Sequence, residues 1–567
     1  MGSHLLKIPI MNKVKLLLTA LLSVQLLASC DYSSGTNKEV SSEFEGETAY
    51  QGAALSQYNP AIELTFARES DDSLENLISQ LPEETFEDNR WNRLYEQMLG
   101  IKIKYDWVAK GDLYHQKLSG AFASGDIPDV VRVNAQQLRM LSNAGLIQDL
   151  SAAYEQYASS FTKKILSQEG TGPFEAATVD GRLMGIPETS SSIEGAMFIW
   201  LRTDWLEQVG LKPPKTMGDV LAISKAFTEN DPDNNGINDT FGLAVTQYLF
   251  DPVMGLAGFM AGYEAYPNLW IKDKSGKLLY GGIQPEVKEA LKVLQNTYRD
   301  GQIDSEFGLK DGLKEEKLIA ESHIGMFYGE QWGSLLAQTS RAAQPNAEWQ
   351  AFPIVSVSGE EPMVPLRFST SQFLAVRKAY PHPEAIVKLF NLHLEKNWGE
   401  TAEYETYYSS PLPVWKLSPV TPFPAMKNLE AYRQIAESER TGDHSVLKDE
   451  ASSIYKNIQT YRTGHVNKES GWGWERTYGP NGAFAILDQY MKNNQLLYES
   501  FVGPPTETMI VKQAILYNQQ IETFVNIILG SPIDEFDRFV DDWNKLGGSR
   551  ITAEVNQWYA ERGSDFK

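Results

Sequence analysis

The chain has 567 residues, with 51 Lys and Arg against 74 Asp and Glu, for a formal net charge of −23. With 42% hydrophobic and 22% charged residues it reads as a soluble globular chain, long enough for two to four domains or one large bilobed unit. The acidic balance argues against nucleic acid as a partner, and a single Cys excludes a disulfide framework and a Cys-based zinc site.

Lys13 and Lys15 precede an apolar run from Leu16 to Leu22, and Leu26-Leu27-Ala28-Ser29 leads into Cys30, the one cysteine. A basic segment, a short apolar stretch and a small-residue cleavage site spell a secretory signal over residues 1–29. The apolar run is too short for a membrane span. Residues 1–10 read as an extension ahead of Met11, a candidate start, and carry no fold information. Removing residues 1–29 takes away Lys7, Lys13 and Lys15 and no acid, which leaves a net charge of −26. Residues 30–58, rich in Ser, Gly, Glu, Asn and Gln and without periodicity, read as a flexible tether.

Order is expected from about Ala61. Ile62, Leu64 and Phe66 alternate as in a strand; Phe86, Leu94, Tyr95, Met98 and Leu99 fit a helix stopped by Gly100. Ile101, Ile103, Tyr105 and Trp107 alternate again, a helix follows over about 112–123, and Val130, Val131 and Val133 make a short buried strand. Asn134 is placed to cap the next helix, which carries Leu138, Leu141 and Ala144. Repeated strand–helix units predict an α/β fold with a parallel sheet, and ligands bind beyond the carboxyl ends of such strands. Those ends hold Arg68-Glu69-Ser70 and the segment from Arg132 to Gln137. A second α/β unit follows. It has an apolar strand over Ala196–Arg202, a capping box at Thr216 and Asp219, and a helix opened by Pro285. His323–Tyr328 and Gln372–Arg377 read as strands, an amphipathic helix starts from Pro383, and the last 60 residues are helical.

The sharpest chemical motif lies within the second unit. Asp231, Asp233, Asn235 and Asp239 place oxygen side chains at relative positions 1, 3, 5 and 9, Gly236 supplies the turn at 6, and Ile237 offers its carbonyl at 7. This matches the first nine positions of an EF-hand loop, but position 12 is Gly242 rather than a bidentate Glu. Structural Ca²⁺ over the loop 231–242 is the expectation, held by Asp231, Asp233, Asn235, Ile237 and Asp239. The seven His form no H-E-x-x-H, and neither a G-x-S-x-G elbow nor a phosphate-binding loop is present, so no catalytic residue is assigned and the chain reads as a non-enzyme. A carboxylate pair of the glycosidase kind is invisible at this level, because its members meet only in space.

Taken together these segments resemble bacterial extracellular solute-binding lipoproteins of carbohydrate ABC transporters, and within them the alginate-binding subgroup. Leu27–Cys30 looks like a lipobox. Ala123-Ser-Gly-Asp-Ile-Pro-Asp129 and Trp205-Leu-Glu-Gln-Val-Gly-Leu-Lys-Pro-Pro-Lys-Thr-Met217 are similar to two family segments, and Phe536–Trp543 with Leu546-Gly-Gly548 resembles the carboxyl-terminal helices. In the subgroup a Glu follows the last Asp of the calcium loop, whereas here the position holds Thr240. The resemblance implies diacylation of Cys30 and anchoring at the extracellular face of the cell membrane. It further implies a two-lobed periplasmic-binding-protein-like fold with a hinge and an interlobe cleft, and a monomer that delivers an oligosaccharide to permease subunits. The lobes are expected over 59–192 plus about 367–410, and over 193–366 plus about 411–567.

On that reading, Trp332 at the end of Gly325-Met-Phe-Tyr-Gly-Glu-Gln-Trp332 is a stacking platform, and Glu194 at the head of Glu194-Gly-Ala-Met-Phe-Ile-Trp200 contacts sugar hydroxyls. Arg68, Asn134 and Gln137 are candidates at strand ends, Trp270, Trp472 and Trp474 are further stacking candidates, and Arg367 is a candidate partner for a uronate carboxylate. Uronic and neutral oligosaccharides both stay open. The alternatives are a peptide or signal-molecule receptor, a surface polysaccharide-degrading enzyme, and a purely structural envelope protein.

Overall fold

Gly100 sits in the left-handed region at φ 67° and ends a helix with its N–H on the Glu96 and Tyr95 carbonyls. A Cβ there would lie 2.4 Å from the Tyr58 carbonyl oxygen, so only glycine lets the chain turn at once into the next strand. The structure, a computed structural model, describes residues 53–409, 412–464 and 468–565. The expected signal, Cys30 and most of the tether lie outside the described residues. The body starts earlier than expected, by Ala53. Ala54 is buried, its carbonyl accepts from Asn391 Nδ2 at 2.9 Å, and the Tyr58 hydroxyl donates to Glu384 at 2.6 Å. The aromatic and small apolar residues at the end of the polar segment anchor it to the body.

In chain order the first lobe is built from β1 (Ile62–Ser70), α1 (Arg90–Leu99), β2 (Ile101–Lys110), α2 (Asp112–Ser124), β3 (Val130–Val133), α3 (Ala135–Asn143) and β4 (Ile186–Glu188). The second lobe contributes β5 (Phe198–Arg202), α4 (Met217–Glu229), α5 (Pro285–Arg299), β6 (Met326–Gly329) and β7 (Trp349–Phe352). The chain then returns to the first lobe with β8 (Gln372–Val376) and α6 (Glu384–Trp398).

The first sheet runs β2-β1-β3-β8-β4. β1 is parallel to β2 and β3, whereas β8 is antiparallel to both β3 and β4. A register shift between Phe66 and Ala67 accents the twist of β1. The second sheet, β6-β5-β7, is antiparallel throughout. Strand β6 starts later than the His323–Tyr328 expectation, because Ser322 takes φ 63° and Ile324 makes only an isolated bridge to Phe241.

Two apolar cores follow the two sheets. One gathers Trp91, Tyr95, Val131, Leu374 and Phe390. The other gathers Trp200, Trp205, Phe227, Phe327 and Trp349, with Phe524 and Trp543 of the carboxyl-terminal helices. One expected boundary needs correction: Val414, Leu417 and Val420 belong to the first core, not to the second lobe. Arg68 explains the docking, since its guanidinium donates to the carbonyls of Lys416 and Ser418. The chain therefore crosses between lobes near 189–193, 367–371 and 421–427. No helix of the described residues is long and apolar enough to cross a membrane.

Candidate functional site

The three crossing segments are tied to one another. Thr189 exchanges two hydrogen bonds with Phe423, through its hydroxyl to the Phe423 carbonyl at 2.9 Å and from the Phe423 N–H to its own carbonyl at 3.0 Å. Ser191 Oγ donates to the Ala425 carbonyl at 2.7 Å, and the Ser192 and Ser369 hydroxyls lie 3.0 Å apart. Short polar side chains thus join these three segments.

Strand direction decides what faces this hinge. In the first sheet β1, β3 and β4 run toward it, so Arg68, Arg132 and Glu188 lie at their carboxyl ends. In the second sheet β6 is antiparallel to β5, which leaves the hinge, so the carboxyl end of β6 returns to it and is followed by Glu330 and Trp332. Both lobes thus present strand ends to the same space.

Two adjoining cavities occupy that space. One, of about 480 Å³, is walled by Ser192, Glu194, Glu330, Arg367, Phe368 and Tyr266. The other, of about 420 Å³, is walled by Arg132, Glu188, Trp398, Tyr408, Trp415 and Phe423. Ser191, Glu194 and Ser369 line both. The aromatic wall is preorganised, with Tyr408 stacked on Trp415 at 6.1 Å and 15° and Trp398 edge-on to Tyr408 at 5.0 Å. Aromatic faces beside carboxylates and hydroxyls form a surface on which a pyranose ring stacks while its hydroxyls donate.

The charges here are unusual. Burial pushes the Glu194 carboxyl up to about 7, against the opposing pull of Lys427 and the hydrogen bond donated by Asn428 Nδ2 at 2.7 Å. Burial likewise pushes Glu330 up to about 7, although Trp332 Nε1 donates to it at 2.9 Å. Glu194 is one of the groups raising Glu330, so the two carboxyls sense each other. His393, on the wall of the aromatic cavity, is held down to about 3 by burial and stays neutral at physiological pH.

The structure sorts the expected site residues. Glu194 and Arg367 line the cleft. Trp332 is 39% exposed on the loop after β6, and Trp474 is half-buried and stacked on Tyr478, a ring in electrostatic contact with Glu194. Arg68 reaches the expected strand end, but its guanidinium is spent on backbone carbonyls rather than turned to a ligand. Asn134 and Gln137 satisfy each other as a capping box for α3. Trp270 packs on Tyr280 and Phe501, and Trp472 is wholly buried between the Arg341 and Arg476 guanidiniums. Neither is a stacking platform. The sequence reading set Arg132 at a ligand-facing strand end without assigning it to the site, and it missed Glu188, Glu330, Trp398, Tyr408 and Trp415. The aromatic density over 404–415 and the acid closing the β6 strand were the available signals.

The loop 231–239 lies away from the cleft. Asp231 accepts from the Asn235 and Gly236 N–H groups at 3.0 Å each, and Asn235 Nδ2 donates to Asp233 at 2.8 Å and to Asp239 at 3.3 Å. Asp231, Asn234 and Gly236 all take positive φ, so the chain coils tightly. Asp233 Oδ1 is buried without a hydrogen-bond partner. The donor types suit a hard cation, and turning the Asn235 amide would set its oxygen where its nitrogen now meets two carboxylates. The carboxylates alone do not suffice: among the described residues no group of three or more His, Cys, Asp or Glu converges as a metal site. Thr240 adds no ligand, because its hydroxyl is turned inward onto the Phe227 carbonyl at 2.6 Å.

Comparison with known proteins agrees with this architecture. Residues 71–396, more than half the chain, match the bacterial extracellular solute-binding protein family, and the chain belongs to that family of binding proteins. It is 26% identical over 487 residues to lipoprotein LipO of Bacillus subtilis, covering 82% of this chain and 87% of LipO. It is 27% identical over 239 residues to the polygalacturonan/rhamnogalacturonan-binding protein YtcQ of the same organism, covering 41% of this chain and 45% of YtcQ. The fold is similar to that of the alginate-binding protein AlgQ2 solved without calcium ion, with a TM-score of 0.56, 15% identity, and coverage of 89% of this chain and 99% of that one.

Proposed function

We propose that this solute-binding protein captures oligosaccharides in the interlobe cleft and hands them to a membrane permease, held at the extracellular face by a lipid on Cys30. The observation that carries the reading is the meeting of strand ends from both sheets around Glu194, Glu330 and an aromatic wall. A sugar there donates hydroxyls to carboxylates and stacks on rings, and closure about the three crossings buries it. A closed state favoured only with ligand distinguishes loaded from empty protein for a permease.

The test is a titration of intrinsic Trp fluorescence with neutral oligosaccharides, uronic oligosaccharides and peptides. A saturable change with one sugar class and no product formed is expected. A response to peptides alone, with the fold intact by circular dichroism, contradicts the reading.

The loop 231–239 is proposed to hold Ca²⁺ as a structural ion, with Asp231, Asp233, Asp239, the Asn235 amide oxygen and the Ile237 carbonyl as ligands. The ion would tie the loop and leave the cleft chemistry to the residues above. Calcium at about 100 times its Kd is expected to raise unfolding free energy by about 2.7 kcal/mol relative to chelator. In D231N/D233N that calcium-dependent gain disappears. An identical unfolding midpoint in calcium and in chelator refutes the assignment.

A further inference from the structure

We propose that the cleft selects uncharged oligosaccharides over uronates, and that Glu194 and Glu330 set this selectivity. The inference rests on the oligosaccharide reading and adds the ligand class.

Three cations around the cleft are already committed, which leaves Arg367. Arg132 donates to Glu188 at 2.9 Å and to the Pro419 carbonyl at 3.2 Å. Lys427 pairs with Glu450 and donates to Asn428 Oδ1 at 2.8 Å. Arg68 is spent on the carbonyls of residues 416 and 418. On the larger cavity the charged groups are Glu194, Glu330 and Arg367, and Arg367 is also in electrostatic contact with Glu499 behind it. Two acids therefore face a ligand against one shared guanidinium.

The remaining polar lining is mostly hydroxyl, from Ser191, Ser192 and Ser369 on the crossings and Thr189 and Thr421 on the aromatic side, with Asn268, Gln372 and the neutral His393 beside them. Carboxylates accept hydrogen bonds from sugar hydroxyls, whereas a uronate at the same place brings a third negative charge into a poorly solvated site.

The pH behaviour gives an independent handle. Glu194 faces Lys427, Asn428, Glu450, Glu169, Tyr408 and Tyr478, and Glu330 faces Trp332 and Glu194. Burial raises both carboxyls to about 7, so they carry more negative charge at pH 7.5 than at pH 5.5, where a uronate is still anionic. Repulsion of the uronate is then relieved on acidification.

The experiment measures Kd for matched pairs differing only in the C6 carboxylate, such as oligogalacturonate against the same oligomer chemically reduced at C6, and β-1,4-oligomannan against β-1,4-oligomannuronate. Unaltered protein is compared at pH 7.5 and 5.5, and E330Q and E194Q at pH 7.5. The neutral member is expected to bind at least about tenfold tighter at pH 7.5, with the ratio falling at least about threefold at pH 5.5 and in E330Q. Equal or tighter uronate binding by the unaltered protein at pH 7.5 overturns the inference and leaves capture standing; loss of that binding in R367Q would move the determinant to Arg367. A neutral preference unchanged by pH and by both substitutions also overturns it. Binding of neither class by folded protein removes the oligosaccharide reading, and this inference with it. The pH comparison uses no substitution, so it stands even if a variant fails to fold.

Discussion

Replacing Arg202 with alanine is expected to lower unfolding free energy by about 3 kcal/mol, read as a shift of the urea midpoint at constant slope. Arg202 is 1% exposed at the end of β5. Its guanidinium makes a two-pronged contact with Asp204, at 2.8 and 2.6 Å, and donates to Gln344 at 2.7 Å. It also lies 4.5 Å from the Trp205 ring centre and 5.9 Å from that of Trp349. Alanine removes the charge, the fork and the filling between two indoles, and strands Asp204, which also accepts from the Glu348 N–H. Asp204 is about a third exposed, so water offsets part of the loss. Arg202→Lys keeps the charge but not the planar fork, and is expected to fall between. A loss of unfolding free energy below about 0.5 kcal/mol for Arg202→Ala would show that the pair adds little to this core.

Substituting Trp332 is expected to weaken oligosaccharide binding by about 2 kcal/mol, roughly thirtyfold in Kd, with little change in stability. Its ring is partly exposed and its indole N–H fixes Glu330, so Trp332→Ala removes a stacking face and loosens an acceptor together. Trp472→Ala is the counterpart. That ring is wholly buried between the Arg341 and Arg476 guanidiniums, at 5.3 and 5.4 Å, and its loss is expected to cost about 3–5 kcal/mol of stability. At a temperature where the variant stays folded, its binding is expected to be near normal. The reverse pattern, a stability loss at Trp332 and a pure binding loss at Trp472, would show that the two tryptophans have been assigned the wrong way round.

These two residues also show what the sequence carried. Trp472 stands between Gly471 and Gly473, which looks like an exposed loop. In fact the glycines permit close packing: a Cβ at Gly471 would lie 2.2 Å from the Asn457 carbonyl oxygen, and one at Gly473 would lie 2.8 Å from Gln338. Composition alone does not separate a loop from a tight helix contact. Period-two alternation gave β1 and β2, and the cap at Asn134 and the capping box at Thr216 were readable because the partners lie within four residues, whereas Gln137, which closes the Asn134 box, was assigned to the ligand. The helix Asp72–Ser79 was missed. Its Asp71 cap is a single residue, and its buried face holds only Leu74 and Leu77. The cleft was the least legible part, since Arg132, Glu188, Glu330, Trp398 and Trp415 meet only after three crossings of the hinge. Arg68 was placed correctly at a strand end, but whether its guanidinium would meet a ligand or a backbone carbonyl depends on residues 416–418, about 350 positions away.

The central claim, that solute is held between the lobes, is tested most directly by reading amide hydrogen exchange at the saturating end of the fluorescence titration. The account predicts added protection together in residues 189–195, 330–333, 367–371 and 421–428, drawn from both lobes and all three crossings. Protection confined to one lobe, or to a face remote from Glu194 and Glu330, would contradict it.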